Sequence, residues 1–135
     1  MSDRFLDSDM PVDPAPELQA LGHAGSTHYF GLETFPNPGV RGVAMTSDEF
    51  TAVCPITGQP DQYTIQIEYA PDEKCIESKS LKLFLGTFRN QGAFVETLAV
   101  DIMKTVAEVL EVDEDNVLVT IVQKSRGGIS IKASA

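Results

Sequence analysis

Two different hydrophobic periods succeed one another in this chain, and their order limits the folds open to it. From Tyr63 to Tyr69 apolar and polar residues alternate, with Ile65, Ile67 and Tyr69 on one side and Thr64, Gln66 and Glu68 on the other. That is the period of a strand with one buried face, the usual pattern of an antiparallel sheet. From 78 to about 90 the spacing lengthens. Leu81, Phe84, Leu85 and Phe88 fall at i, i+3, i+4 and i+7, the core stripe of a helix. Gln91-Gly92 ends it, and a second helix runs from about 93 to 111 on a stripe of Val95, Leu98, Ala99, Ile102, Val106 and Val109. After a polar connector at 112–116, β-branched residues mark a strand to Gln123. Ser125-Arg126-Gly127-Gly128 turns into a last strand, Ile129 to Lys132. A weaker strand, Val40 to Thr46, precedes the first, after a Pro/Gly-punctuated connection at 31–39. The order β-β-α-α-β-β predicts an α+β domain, a four-stranded antiparallel sheet with two helices on one face. Such a sheet has two open edges, which invite pairing with another copy.

Composition bounds the function. The chain has 135 residues, 42% of them hydrophobic, which suits one domain with a real core. That domain is expected over 26–135. Residues 1–25, with Pro11, Pro14 and Pro16 among acidic residues, read as a flexible tail with at most a turn of helix near Glu17 to Leu21. The net charge of −10 disfavours an extended nucleic-acid surface and suits a small nucleobase-sized substrate better. No apolar run approaches the ~20 residues that cross a bilayer. The polar start, Met1-Ser2-Asp3-Arg4, lacks an apolar signal core, so a cytoplasmic protein is expected. Cys54, Cys75, His23 and His28 have no metal-site spacing, and no metal is expected. There is no Rossmann glycine fingerprint.

Cys54-Pro55-Ile56-Thr57-Gly58-Gln59-Pro60-Asp61 carries the candidate chemistry. Its prolines and glycine exclude a helix interior or a central strand, so a thiol and a carboxylate are held at a rigid turn. That suits a nucleophile with a proton partner. The residues alone leave open a loop with a buried cysteine and a strand-capping aspartate. Lys79 and Lys82 share a helix face, and by spacing alone they read as solvated lysines. Glu77 and Ser78 read as a helix cap.

The segment Phe50 to Asp61, the block Glu77-Ser78-Lys79-Ser80-Leu81-Lys82-Leu83-Phe84 and the ending Arg126-Gly127-Gly128-Ile129-Ser130-Ile131 resemble, in that order, three motifs of the 7-cyano-7-deazaguanine reductases, the QueF nitrile reductase family. The likeness spans roughly 30 to 132 and fits the single-module members. It implies the tunnelling fold, in which subunits join edge to edge into a barrel with active sites between them. It implies that Cys54 adds to a nitrile carbon to give a covalent thioimide, and that Asp61 protonates the nitrogen. A free cysteine near ~8.5 needs help to ionise, and a carboxyl in this role is expected to be buried, with a raised pKa. The resemblance further implies NADPH as cofactor, with Lys79, Ser80, Lys82, Arg126, Gly127 and Gly128 around it. Glu96 would anchor the deazapurine, with Val95, Glu77 and Ser78 beside it.

One motif departs from the family pattern. Phe94-Val95-Glu96 stands where that pattern reads Phe-His-Glu, and Gln91 also replaces a histidine. Val95 can neither hydrogen-bond nor shuttle a proton, so proton delivery or substrate orientation must differ. This leaves two alternatives to nitrile reduction. One is an amidine-forming relative in which ammonia resolves the same cysteine adduct. The other is an inactive deazapurine-binding ring subunit.

Overall fold

The computed structural model describes residues 31–135. The expected tail, the turn near Glu17 to Leu21 and both histidines lie outside the described residues. The main sheet has four antiparallel strands: β2 (Val43–Val53), β3 (Pro60–Tyr69), β5 (Val117–Arg126) and β6 (Ile129–Ser134), in the order β2-β3-β5-β6. Two helices, α1 (Ser78–Gly86) and α2 (Val95–Leu110), lie between β3 and β5 in the chain. The predicted sheet and helix order is therefore present.

Three details differ. The connection at 31–39 contains a short strand, β1 (Thr34–Pro36), paired with β4 (Lys74–Ile76). The Asn37 side chain secures this pair. Its Nδ2 donates to the carbonyls of Val40 and Asp72, and its Oδ1 accepts from the N–H groups of Gly39 and Val40. β2 is longer than the predicted Val40–Thr46, because Ser47 to Phe50 continue the strand through a bulge. And α1 stops at Gly86 rather than near 90. Beyond it the chain tightens into i→i+3 turns, with Phe88 N–H donating to Leu85 and Gln91 N–H to Phe88. Phe88 stays buried in these turns, so the apolar stripe outlasts the helix.

The core lies between sheet and helices. β3 contributes Tyr63, Ile65 and Ile67; β5 contributes Val119 and Ile121; α2 contributes Leu98, Ile102, Val106 and Leu110. Each aliphatic side chain buried here stabilises the fold by roughly 1.5–3 kcal/mol over leaving it in water. On α2 the last stripe position belongs to Leu110, while Val109 is only half-buried. The other sheet face is left open by the single chain and carries exposed Leu118 and Val122.

Both ends of the sheet nearest the candidate site are irregular. Pairing of β2 with β3 jumps from Ser47–Ile65 to Phe50–Tyr63, so β2 holds one extra residue. Before the bulge the odd-numbered Val43, Met45 and Ser47 face inward; after it Phe50 and Ala52 do. Pairing of β5 with β6 likewise jumps from Gln123–Ile131 to Arg126–Ile129. A bulge inverts the side-chain phase of the strand beyond it and re-aims the downstream residues. Cys54 and Arg126 are the residues so re-aimed.

Candidate active site

Cys54 leaves β2 directly into the turn that joins it to β3. Its N–H donates to Gln59 at 2.8 Å, and Gly58 N–H donates back to Cys54 at 2.9 Å. Gly58 has φ +71, a conformation open to glycine and strained for most other residues. The segment before α2 clamps the other side. Val53 N–H donates to Gln91 and Ala93 N–H to Val53, so Gly92 runs parallel to Val53. A Cβ on Gly92 would stand 3.1 Å from the Pro55 Cα, which explains a glycine there. The Gln91-Gly92 break is thus a wall of the nucleophile turn, and it seats the start of α2 against it.

The turn wraps donors around one sulfur. The hydroxyl and N–H of Thr57, the N–H of Ile56 and the Arg126 guanidinium bring the Cys54 thiol down from 9.0 to about 6, with burial opposing them weakly. Successive N–H groups converging on one anion form a nest. Cys54 is therefore mostly thiolate at neutral pH. Thr57 is the largest contributor, so Thr57→Val is expected to raise the midpoint of Cys54 alkylation by iodoacetamide, read as rate against pH. The midpoint should stay below 9.0, since Ile56 and Arg126 remain. An unchanged midpoint would remove Thr57 from this account.

Asp61 opens β3 on the inward face and is buried, as expected of it. A guanidinium beside it was not expected. Arg126 Nη1 lies 3.0 Å from Asp61 Oδ1, an ion pair that is buried on the aspartate side and open on the arginine side. Arg126 therefore pairs with Asp61 and acts on the Cys54 thiol as well, and it is held protonated first by Cys54 and then by Asp61. The resemblance places it beside the cofactor. In the structure its guanidinium is engaged by Asp61 and Cys54. Gly127 and Gly128 both have positive φ, at 64° and 82°. A two-residue hairpin loop of this kind requires glycine-like residues, so the turn accounts for both without a phosphate.

The block at 77–84 divides into structural and open positions. Glu77 is buried and caps α1, with Oε2 accepting from Lys79 N–H and Oε1 from Ser80 N–H, each at 2.7 Å. Such a cap contributes about 1 kcal/mol, and it occupies the carboxylate that was assigned to substrate. Ser80 is a correction. Its hydroxyl is enclosed, donating to the Glu77 carbonyl and accepting from Glu33 N–H, so it presents nothing to a cofactor. Ser78 and Lys82, by contrast, line a cleft of about 590 Å³ between α1 and strands β2 and β3, together with Arg89. Lys79 is half-buried and does not line it. At the start of α2, Val95 is buried and Glu96 exposed in the first turn, where a carboxylate suits the helix dipole. Sequence reasoning missed Thr57. Thr57 sat inside the quoted turn, three residues after the thiol.

Comparison with known proteins points the same way. A family model described as "QueF-like protein" matches residues 60–135. The chain is 40% identical over 129 residues to an NADPH-dependent 7-cyano-7-deazaguanine reductase of Syntrophobacter fumaroxidans, covering 90% of this chain and 82% of that one. It is 46% identical over 124 residues to the protein of the same name from Parabacteroides distasonis, covering 85% and 76%. The crystal structure of an archaeosine synthase QueF-Like in the apo form superposes with a TM-score of 0.64 at 23% identity, over 72% of this chain and 93% of that one. That likeness shows the fold, the tunnelling fold. With the matched family model spanning β3 to the end of β6, and relatives this similar over most of their length, the chain belongs to the QueF-like family.

Proposed function

We propose that this protein is an NADPH-dependent nitrile reductase that converts 7-cyano-7-deazaguanine to 7-aminomethyl-7-deazaguanine through a covalent thioimide on Cys54. The observation that carries the reading is the Cys54 thiolate, stabilised in a nest beside a buried carboxylate and a shared arginine. A nitrile carbon is an electrophile that a preformed thiolate attacks without prior deprotonation. As sulfur bonds to carbon, one C≡N electron pair moves to nitrogen, which then takes one proton. Asp61 faces inward beside the thiolate and is the group assigned to pass that proton. Arg126 balances the charge of whichever partner is anionic. Glu96, at the start of α2, is assigned to the donor-rich edge of the deazapurine.

The residues fit a dinucleotide phosphate. On a chain of net charge −10, exposed Lys82 and Arg89 flank a cleft with apolar walls from Met45, Ile65 and Leu81. Lys82, Arg89 and Ser78 would hold NADPH there, with Lys79 close in sequence. When bound, NADPH supplies hydride, two equivalents taking the nitrile to the amine. The exposed edge strand β6, with Ile129 and Ile131 at its surface, supports assembly of copies edge to edge, with sites completed between subunits. A nucleobase-sized substrate rather than tRNA suits the acidic charge, and no helix among the described residues is long and apolar enough to cross a membrane.

Loss of NADPH absorbance on adding 7-cyano-7-deazaguanine tests the reading. Nitrile-dependent oxidation with two NADPH per nitrile is expected. A covalent adduct without oxidation would point to resolution by ammonia. No adduct by intact mass would leave a binding subunit.

A further inference from the structure

The cleft between α1 and strands β2 and β3 has two unlike ends. Ile76 N–H donates to Tyr69 Oη at 2.9 Å, and Tyr69 pairs with Val43 at the start of β2. At the other end Val53 N–H donates to the Gln91 carbonyl at 3.0 Å, one residue before Cys54. The chain from Ile76 through α1 to Gln91 therefore runs alongside β2 and arrives at the thiol. Of the residues that line the cleft, Met45, Ser78 and Lys82 lie toward the far end, and Thr51 and Arg89 toward the end beside Cys54. Lys82 and Arg89 are exposed, and neither forms an ion pair among the described residues. Roughly 10 Å of helical chain separates them, a span comparable with one nucleoside.

Reduction of a Cys54 adduct requires the hydride donor at the Cys54 end. In a nicotinamide dinucleotide the nicotinamide, pyrophosphate and adenosine follow one another, and the 2′-phosphate of NADPH hangs on the adenosine ribose. With the nicotinamide at Cys54, the pyrophosphate falls near Arg89 and the 2′-phosphate one nucleoside farther, toward Lys82. The side chains suit these places. A guanidinium fork binds a pyrophosphate through parallel hydrogen bonds, and an ammonium meets a terminal phosphate as a point charge. Glu49, the carboxylate on the cleft lining, accepts hydrogen bonds only and suits ribose hydroxyls. We propose that Arg89 clamps the cofactor pyrophosphate, in a dinucleotide laid lengthwise along the cleft with its nicotinamide at Cys54 and its 2′-phosphate at Lys82. Lys82 then separates NADPH from NADH, and Arg89 serves both. This rests on the reductase reading and adds to it the direction in which the cofactor lies.

Calorimetric titration of the full-length protein with NADP⁺ and with NAD⁺ tests this, because neither carries a hydride and no turnover intervenes. Arg89→Ala is expected to weaken both dinucleotides alike, by roughly 10–10²-fold, and Arg89→Lys to recover part of the loss. Lys82→Ala should weaken NADP⁺ by a similar factor and leave NAD⁺ unchanged. Both side chains are exposed, so melting temperatures without ligand should match wild type. Loss of NADP⁺ alone in Arg89→Ala would reverse the direction of the cofactor, and equal loss of both dinucleotides in Lys82→Ala would move the pyrophosphate to Lys82; either overturns the proposal. A fall in affinity matched by a fall in the unliganded melting temperature would make Arg89 structural and would overturn it too. If wild type forms the Cys54 adduct and binds neither dinucleotide, the reductase reading falls and takes this inference with it. If wild type binds NADP⁺ and Arg89→Ala binds it equally well, only the inference falls.

Discussion

Cys54→Ala is expected to abolish both nitrile-dependent NADPH oxidation and the covalent adduct, a loss on the order of 10⁴-fold or more, since no other group can form the covalent bond. Cys75 cannot substitute. It is buried beside Tyr69 and Asn37, and its thiol is raised, chiefly by burial. The same variant has a second signature in stability. Cys54 is lowered in the folded state to about 6 from 9.0. Between those values the unfolded chain binds more protons, so stability rises with pH across that window. It is fully present above 9.0 and is lost as pH falls through about 6. Cys54→Ala should flatten this rise, read as melting temperature from about pH 5.5 to 9.5. Adduct retained in the variant would move the chemistry off Cys54. A rise equal to wild type would mean that the thiol is not lowered by folding.

Arg126→Ala should have the next largest effect. It removes a donor from the thiolate and leaves Asp61 buried without its partner. The alkylation midpoint of Cys54 is expected to move up, turnover to fall by about 10²-fold, and melting temperature to drop. Arg126→Lys keeps the charge but loses the planar fork, which here spans two partners. It should recover the melting temperature better than the turnover. If Arg126 serves only a cofactor phosphate, Arg126→Ala would raise the KM for NADPH and leave alkylation unmoved. That result would discard the reading of Arg126 as part of the reaction centre.

The element order was legible because burial on one face imposes a period, and the periods of strand and helix differ. Ile65, Ile67 and Tyr69 on one side of β3, and Leu98, Ile102 and Val106 on one side of α2, are where alternation and helical spacing put them. The nucleophile turn was legible because proline and glycine restrict backbone locally, and Cys54 and Asp61 stood in a motif. Roles carried by contacts between distant segments were not legible. Ser80 looked like a cofactor ligand because it lies in a recognised block, yet its hydroxyl is closed off by Glu33, 47 residues away. The resemblance places Arg126, Gly127 and Gly128 together around the cofactor, yet the hairpin demands those glycines for itself.

By itself the sequence determined the fold class, the turn that carries the thiol and the family, all of which rest on local pattern. Only the tertiary structure decided that Cys54, Asp61 and Arg126 come together. The reason lies in two bulges. Each adds one residue to a strand, β2 before Phe50 and β5 before Arg126, and each inverts the inward phase of the residues beyond it. A period-two count along either strand would place Cys54 and Arg126 on the opposite face. Where a bulge falls depends on pairing with a neighbouring strand, and that is a property of the folded sheet.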